Sequence, residues 1–366
     1  MKLIYIFLVL LSATSCANTQ IVGSGKELKL EDAELGKKVE LEDIFIPLQA
    51  MQLEKNDLCM LKTIQKVEMV DSCYYILGGD TQSHIFVFDK DGHFLRRIGS
   101  QGHGKGEYIS AWDFTVDREN RRVAILSAPS QVYLYSMDGT FIKRKTLGRA
   151  YCWNITSTDK GFVGATNHCT YTSGDDAYLL YFFDKEFNVR QKKIHVLSHQ
   201  IYSPRFVSSV FFYNENSIYY VDNFTGEIYN LSALDKEGEN YQILLSNPMP
   251  TEKFELFKTF ADNQRKFDFL KDALIVGDKA VFVYIQNATS CVETMHLSGK
   301  PIVHGRVGTN VPRMYSDGNG NVILCISAYS YIKNKMEDFL PELKGKVKAS
   351  DNYILVKCKL KDKQGN

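Results

Sequence analysis

From Ile85 to Tyr108 the chain reads IFVFDKDGHFLRRIGSQGHGKGEY: a strand, an Asp-Gly turn, a second strand and a glycine-rich loop. A weaker copy of its first half, VYLYSMDGTFIKRKTLG, returns at residues 132–148, and the turn glycines Gly92 and Gly139 stand 47 residues apart. Repeats of roughly 40 to 50 residues that contain only strands are typical of β-propellers. Each copy therefore predicts one blade of a propeller.

The repeat continues along the chain. Each predicted unit has an apolar residue just before the turn that follows its third strand, and these residues are Phe88, Tyr135, Phe183, Tyr229, Met295 and Val356. The first three intervals are 47, 48 and 46 residues, and the last two, 66 and 61, contain partly helical insertions at 251–272 and 333–350. We predict an all-β fold over residues 37–362: a six-bladed β-propeller with four-stranded antiparallel blades and two short insertions.

Closure of the ring is predicted from the two ends of this region. Residues 39–48, VELEDIFIPL, look like a strand, and the last unit ends in NYILVKCKL at residues 352–360. An open array of blades would leave a sheet edge exposed. We therefore expect the strand at 39–48 to pair with the C-terminal strand.

The first residues have the pattern of an export signal. Lys2 is followed by an apolar run at 3–11 that is too short to span a bilayer. Small residues then precede Cys16 and resemble a lipobox, with Ala13 in place of the usual leucine. This resemblance implies a signal peptide at 1–15 and lipidation of Cys16, followed by a tether at 16–36; plain secretion is the alternative.

The loop after the first hairpin carries a family resemblance. Residues 102–108 read GHGKGEY, with Lys105 where the related loops have a proline. Together with the Asp-x-Asp-Gly turn and the Ile-Gly before the loop, this order resembles the six-bladed β-propeller lipoproteins of anaerobic Gram-negative gut bacteria, which are relatives of NHL-repeat propellers. The resemblance implies the fold and a lipid-anchored location in the cell envelope, at the outer membrane, but carries over no catalytic residue.

Nucleotides, metals and nucleic acids are poorly supported as ligands. Residues 99–106 nearly match a P-loop, but Gly106 stands where a hydroxyl is needed and a strand follows instead of a helix. Within this loop we expect Glu107 to accept backbone N–H groups. His195 and His199 have helical metal-site spacing without an acidic neighbour, and the net charge of +1 gives no case for nucleic acid. The sequence thus predicts neither a cofactor nor a metal.

Five residues near the predicted starts of the inner strands are candidates for ligand binding. Aromatic side chains stack on sugar faces, and arginine binds carboxylates in a bidentate manner. The candidates are Trp112, Trp153, His168, Arg205 and Arg313. In the alternative interpretation, the tryptophans only pack between blades.

No linear catalytic constellation is present, and no catalytic residue is predicted. The leading hypothesis is an envelope-anchored propeller that binds a glycan, peptide or protein on one face, with the membrane as its second partner. The alternative is a propeller enzyme, a hydrolase or lyase, whose site is assembled in the central channel from several blades. A third hypothesis is a structural component of an envelope complex that docks through the two insertions.

Overall fold

The computed structural model describes residues 23–32, 38–79, 83–127, 130–148, 150–168, 177–196, 210–248, 266–307 and 311–362. Six antiparallel sheets account for nearly all of the secondary structure, and their first strands surround a central channel. The predicted all-β, six-bladed propeller is confirmed. Cys16 and Arg205 lie outside the described residues.

The first three blades each contain four consecutive strands. Blade 1 comprises β4 Thr63–Val70, β5 Cys73–Gly79, β6 Ser83–Phe88 and β7 Phe94–Ile98; a short crossover pair, β8 Ser100–Gln101 and β9 Glu107–Tyr108, follows it. Blade 2 comprises β10 Asp113–Asp117, β11 Arg122–Ser127, β12 Gln131–Ser136 and β13 Phe141–Thr146. Blade 3 comprises β14 Asn154–Thr158, β15 Gly161–Ala165, β16 Tyr178–Phe183 and β17 Val189–His195.

The other three blades also use strands from the N-terminal region. Blade 4 comprises β18 Phe211–Asn214, β19 Ser217–Asp222, β20 Glu227–Asn230 and β21 Asn240–Leu244. Blade 5 comprises β22 Phe269–Val276, β23 Lys279–Gln286, β24 Thr289–His296 and β25 Pro301–Val307. Blade 6 comprises β26 Arg313–Ser316, β27 Val322–Ile326, β28 Ile354–Leu360 and, as its outermost strand, β3 Phe45–Gln52.

The hairpin between the third and fourth strands explains the sequence repeat. In blades 1, 2, 3 and 5 a bulge falls at the apolar residue before the turn, as between Val87 and Phe88. Gly92 and Gly139 have φ of 88° and 97°, which glycine adopts at low cost. In blade 3 the non-glycine residue Phe187 takes the left-handed conformation, with φ of 61°, and its buried ring stacks on Phe162.

The predicted closure is confirmed, with shifted bounds. Strand β3 pairs antiparallel with β28, from Phe45 opposite Leu360 to Gln52 opposite Ile354. The strand expected at 39–48 begins at residue 45, because residues 41–44 form a helical turn, α1 Leu41–Ile44. A capping box between Glu40 and Asp43 stabilises this turn.

Part of the expected tether at 16–36 belongs to the propeller. Strand β1, Gly25–Lys29, pairs in parallel with β21, and β2, Lys38–Val39, pairs in parallel with β25. Leu28 on β1 and Val39 on β2 are fully buried. Residues 23–32 and 38–52, which we call the N-terminal strap, therefore border blades 4, 5 and 6 in turn.

The second insertion is partly helical, as predicted, but begins earlier than residue 333. Helix α2, Ala328–Lys333, follows β27 directly, and a 3-10 helix covers Pro341–Leu343. Residues 251–265 of the first insertion lie outside the described residues, and β22 begins at Phe269, before the expected end of that insertion at residue 272. Within the described ranges, no helix has the length and apolar content that crossing a bilayer would require.

Strand alternation places the long connections on one side. Each inner strand starts at the edge where the second strand of its blade ends and the third strand begins, because neighbouring strands are antiparallel. We call this side the crossover face. It carries the residues that precede the inner strands and the connection from β27 to β28, which includes α2. The opposite side, with the tight hairpins, is the turn face.

Candidate functional site

The central channel is closed by a buried ionic network that joins three blades. Lys66 on β4 extends its ammonium to within 3.2 Å of Glu68 Oε1 and 3.1 Å of Asp113 Oδ1. It also donates to the carbonyls of Phe114, at 2.6 Å, and Ile155, at 2.9 Å. Since the three charged side chains are at most 6% exposed, this cluster links blades 1, 2 and 3 away from water.

One oxygen of each carboxylate in the network accepts a backbone hydrogen bond. Glu68 Oε2 accepts the N–H of Val116 at 2.8 Å, and Asp113 Oδ2 accepts the N–H of Ile155 at 2.7 Å. Each carboxylate therefore accepts a hydrogen bond from the inner strand of the next blade. The network positions the inner strands relative to one another.

Burial and charge act in opposite directions on the pKa values of this network. Desolvation alone would lower the pKa of Lys66, but the carboxylates of Asp113 and Glu68 outweigh it and raise that pKa. Desolvation raises the pKa of Glu68 despite the attraction of the Lys66 ammonium. A lysine that stays charged while paired with buried carboxylates is suited to a structural role rather than to proton transfer near pH 7.

The remaining inner strands fill the rest of the channel. The hydroxyl of Tyr213 on β18 lies 3.1 Å from Thr156 Oγ1, and Tyr315 on β26 donates to the carbonyl of Gln65 at 2.8 Å. Desolvation raises the pKa of Asp272, on β22, to about 7. The cavity bounded by these groups measures about 20 Å³, which is room for one water molecule. The channel cannot accept a sugar or peptide in this conformation.

Trp112 and Trp153 meet at the crossover face. Their rings stack with centroids 4.4 Å apart and planes within 7° of parallel, and both side chains are half-buried. The peptide N–H of Trp112 donates to Leu126, and that of Trp153 donates to Ala165, so each residue is fixed just before an inner strand. The tryptophans do pack between blades 2 and 3, yet the pair keeps part of its surface in solvent.

A chain of amides leads outward from the channel beneath this pair. Asn154 donates to Asp113 Oδ2 at 3.2 Å, and Asn167 donates to Asn154 Oδ1 at 2.6 Å. Tyr220 on blade 4 donates to Asn167 Oδ1 at 3.4 Å. Polar contacts thus run from the Lys66 network to blade 4 along the crossover face.

His168 is buried in a hydrogen bond that joins blades 3 and 4. Its Nε2 lies 2.7 Å from Asp222 Oδ2, and its ring packs edge-on against Phe224. Burial opposes the charge of Asp222, but His168 and the N–H of Phe224 lower the pKa of this carboxyl. His168 is only 5% exposed, so we assign it to positioning the loops of the crossover face.

The structure separates the predicted candidates. Trp112, Trp153 and His168 belong to neighbouring parts of the blade 2 to blade 4 sector, whereas exposed Arg313 lies on blade 6 and donates to the carbonyl of Gln65 at 3.2 Å. Arg205 and His199 lie outside the described residues. His195 is exposed on β17 and packs against Tyr178.

The glycine-rich loop is a structural crossover, as expected. Glu107 Oε2 accepts the N–H of Gly104 at 2.8 Å, and a Cβ at Gly102 would lie 2.1 Å from the same carboxylate. Among the described residues, no group of three or more His, Cys, Asp or Glu side chains could hold a metal ion.

Sequence reasoning missed Lys66 and Glu68. A usable signal was present, because the two charges stand two residues apart in the otherwise apolar strand text TIQKVEMV and so share one face of β4. Asp113 directly follows the candidate Trp112 in the sequence but was not itself predicted as a site residue. Its partners come from other blades, and the repeat alone does not indicate which side chains meet in the channel.

Comparisons with known proteins agree with this architecture. The profile of the family described as "Domain of unknown function (DUF4934)" matches residues 26–359. A protein from Bacteroides fragilis NCTC 9343 described as a "Putative exported protein" is similar in structure, with a TM-score of 0.74, 16% identity, and coverage of 92% of this chain and 100% of that chain. A member of the DUF4221 family from Bacteroides vulgatus ATCC 8482 has a TM-score of 0.56 at 8% identity, covering 87% of this chain and 98% of that chain.

No curated protein matches the chain in sequence. At these identities the two solved structures establish a shared fold. The family match spans most of the chain, and the protein therefore belongs to the DUF4934 family.

Proposed function

We propose that this DUF4934 protein is an extracytoplasmic binding module that takes a glycan, peptide or protein ligand on its crossover face. The observation that carries the proposal is the contrast between the two ends of one polar network. Inside the channel, Lys66 and its carboxylates leave about 20 Å³. At the crossover face, the same network includes Asn154, which directly follows Trp153 of the half-exposed tryptophan pair.

The crossover face has the features of a recognition surface. Loops on a rigid β scaffold vary without disturbing the core, and binding residues concentrate on them. Tyr329 on α2 and Ile109 on the crossover to blade 2 are 59% and 55% exposed, so this face also presents apolar side chains outside the tryptophan pair. A broad face with exposed aromatic and aliphatic groups suits an extended ligand better than a small molecule.

The location of the protein follows from the lipobox-like segment. We propose export through the signal at 1–15 and anchoring through lipidated Cys16. The exported Bacteroides protein of the same fold supports an extracytoplasmic location. Detergent phase partition tests the anchor: the native chain should enter the detergent phase, and Cys16→Ala should remain in the aqueous phase.

Tryptophan emission tests the binding proposal with unusual selectivity. The chain contains two tryptophans, and both lie in the stacked pair. Excitation at the red edge of the indole band therefore reports the crossover face alone, despite the 21 tyrosines. Purified surface polysaccharides, peptidoglycan fragments and a detergent-solubilised envelope fraction serve as probes.

We expect at least one probe to shift the emission, with affinity reduced at least tenfold in Trp112→Ala and unchanged in Trp153→Phe. No shift with any probe, including the whole envelope fraction, would refute the proposal. Mass analysis of the same incubations covers the enzymatic alternative: turnover of a probe that disappears in Asp272→Asn would assign the site to the channel.

A further inference from the structure

The outer strands of blades 1, 2 and 3 repeat one surface motif. Each has a pair of exposed or half-exposed side chains two residues apart, and the pairs recur at intervals of 47 and 48 residues. The members are Leu95 and Arg97 on β7, Ile142 and Arg144 on β13, and Arg190 and Lys192 on β17. We call these six residues the basic rim. It contains four cations, two aliphatic side chains and no carboxylate.

The geometry of the rim cations repeats as well. Arg97, Arg144 and Lys192 stand directly opposite Phe86, Tyr133 and Tyr181. The Arg97 guanidinium lies 5.0 Å from the centre of the Phe86 ring, and the Lys192 ammonium lies 5.9 Å from that of Tyr181. The charged ends of Arg97 and Lys192 thus lie over aromatic rings of the neighbouring strand, the geometry of a cation–π contact.

Few carboxylates neutralise the rim. Arg190 pairs with Asp184 at 2.6 Å, whereas neither Arg97 nor Arg144 contacts a carboxylate of any described residue. Leu95 and Ile142 are 45% and 46% exposed beside them. Cations alternating with exposed aliphatic side chains are the composition of a surface that contacts anionic lipid headgroups.

The other half of the circumference differs. The N-terminal strap borders blades 4 to 6, and its longest strand, β3, reads FIPLQAMQ without a charge. Although Ile46 and Leu48 are exposed there, no cation accompanies them on that strand. The edge of blade 6 is therefore uncharged, whereas β1 at the edge of blade 4 carries charges of both signs, Lys26, Glu27 and Lys29.

The N-terminal strap begins close to the blade 3 part of the basic rim. The N–H of Gly23 donates to Leu234 at 3.1 Å, and the neighbouring Asp235 pairs with Lys193 of blade 3. A groove of about 750 Å³ lies at this boundary, lined by the cations Lys160, Arg190, Lys193 and Lys236 among others. The strap therefore starts at the rim where blades 3 and 4 meet.

We propose that the basic rim of blades 1 to 3 docks on an anionic lipid bilayer. This rests on the proposed anchor at Cys16. Six residues lie between Cys16 and Gly23, and even fully extended the seven Cα–Cα steps span at most about 25 Å. Two blades of four strands alone are about 40 Å across, so the anchor holds the blade 3 rim near the headgroups and the blade 6 rim away from them.

Energy transfer on vesicles tests the docking. The lipidated protein carries a single donor dye, attached either at Gln191→Cys on β17 or at Gln49→Cys on β3. Both glutamines are exposed, and they lie on opposite blades. The unsubstituted protein gives the labelling background. The acceptor is a headgroup-labelled lipid in vesicles of phosphatidylethanolamine with a minority of phosphatidylglycerol. We expect at least twofold higher transfer efficiency from residue 191 than from residue 49.

Charge variants separate docking from tethering. Arg97→Gln, Arg144→Gln and Lys192→Gln together should lower the transfer efficiency from residue 191, because only the tether then holds the blade 3 rim near the headgroups; an unchanged efficiency would overturn the docking. The matched set Lys344→Gln, Lys346→Gln and Lys348→Gln removes the same charge from the exposed second insertion and should change nothing. Equal transfer from both sites in the native protein, or higher transfer from residue 49, would overturn the docking. Failure of the protein to float with the vesicles would instead refute the anchor.

Discussion

Replacing Lys66 with methionine should destabilise the whole propeller, because its ammonium compensates two buried carboxylates. Glu68 and Asp113 would remain 6% and 2% exposed at their side chains, without the cation at 3.2 and 3.1 Å. Removing one partner of a buried ion pair costs about 3–5 kcal/mol. Domain stabilities are commonly about 5–15 kcal/mol, so the loss would be a large fraction of the total.

The assay is urea denaturation at about pH 7, followed by circular dichroism. Lys66→Met should unfold at a clearly lower urea concentration than the native chain. The triple variant Lys66→Met, Glu68→Gln and Asp113→Asn removes all three charges together. It should recover most of the loss, because replacing a whole buried charge cluster with neutral groups is often close to neutral.

The pH dependence of the single variant has a definite sign. Without Lys66, burial keeps the folded-state pKa of Glu68 above its unfolded value, so the folded chain binds more protons between those two values. The stability of Lys66→Met should therefore rise as the pH falls from about 7 toward 5, and the difference in free energy of unfolding between this variant and the native chain should become smaller. A deficit below about 1 kcal/mol at pH 7, or a triple variant no better than the single one, would refute the reasoning.

Three further perturbations test other parts of the fold. Burial raises the pKa of Glu293 from 4.5 to about 8, so the contribution of this carboxyl to stability is present below about pH 4.5 and lost as the pH rises through 8. In Glu293→Gln the melting temperature should therefore change less with pH over this window. An unchanged slope of melting temperature against pH would count against this reasoning. Leu28→Ala in the strap should lower the free energy of unfolding measured in urea by about 2–5 kcal/mol, whereas Glu27→Ala at the exposed neighbouring position should lower it little. Equal effects of the two substitutions would mean that β1 contributes little to blade 4. Gly106 and Gly148 both have positive φ, but a Cβ at Gly106 would lie 2.6 Å from Phe141, whereas one at Gly148 would meet nothing within 4 Å. Thermal melts should therefore show that Gly106→Ala is more destabilised than Gly148→Ala. Similar melting temperatures for the two variants would contradict crowding at Gly106.

The blade repeat could be predicted because its cause is local. Each hairpin places a bulge and a turn at fixed distances from an apolar residue, so Phe88, Tyr135 and Phe183 mark equivalent positions in the sequence itself. Closure by the N-terminal strand followed from the cost of an open edge. Its first residues were assigned wrongly, because VELEDIFIPL alternates like a strand while the capping box of Glu40 and Asp43 favours a helical turn.

The site was harder to predict because its contacts join different blades. Lys66 meets Asp113 across 47 positions of sequence, and β1 pairs with a strand more than 200 residues away. Neither pairing leaves a local pattern. The tryptophan pair was found as two separate candidates, but its stacking depends on the angle between neighbouring blades, which the sequence does not encode locally.

The position of a bound ligand on the propeller tests the central claim most directly. Backbone hydrogen exchange is measured with and without the probe that shifts tryptophan emission. We predict slowed exchange at residues 109–112, 150–154 and 327–353 on the crossover face, with no change in the turn-face hairpins at 89–93, 137–140 and 184–188. Protection confined to those hairpins, or to the inner strands of the channel, would contradict a crossover-face binding module.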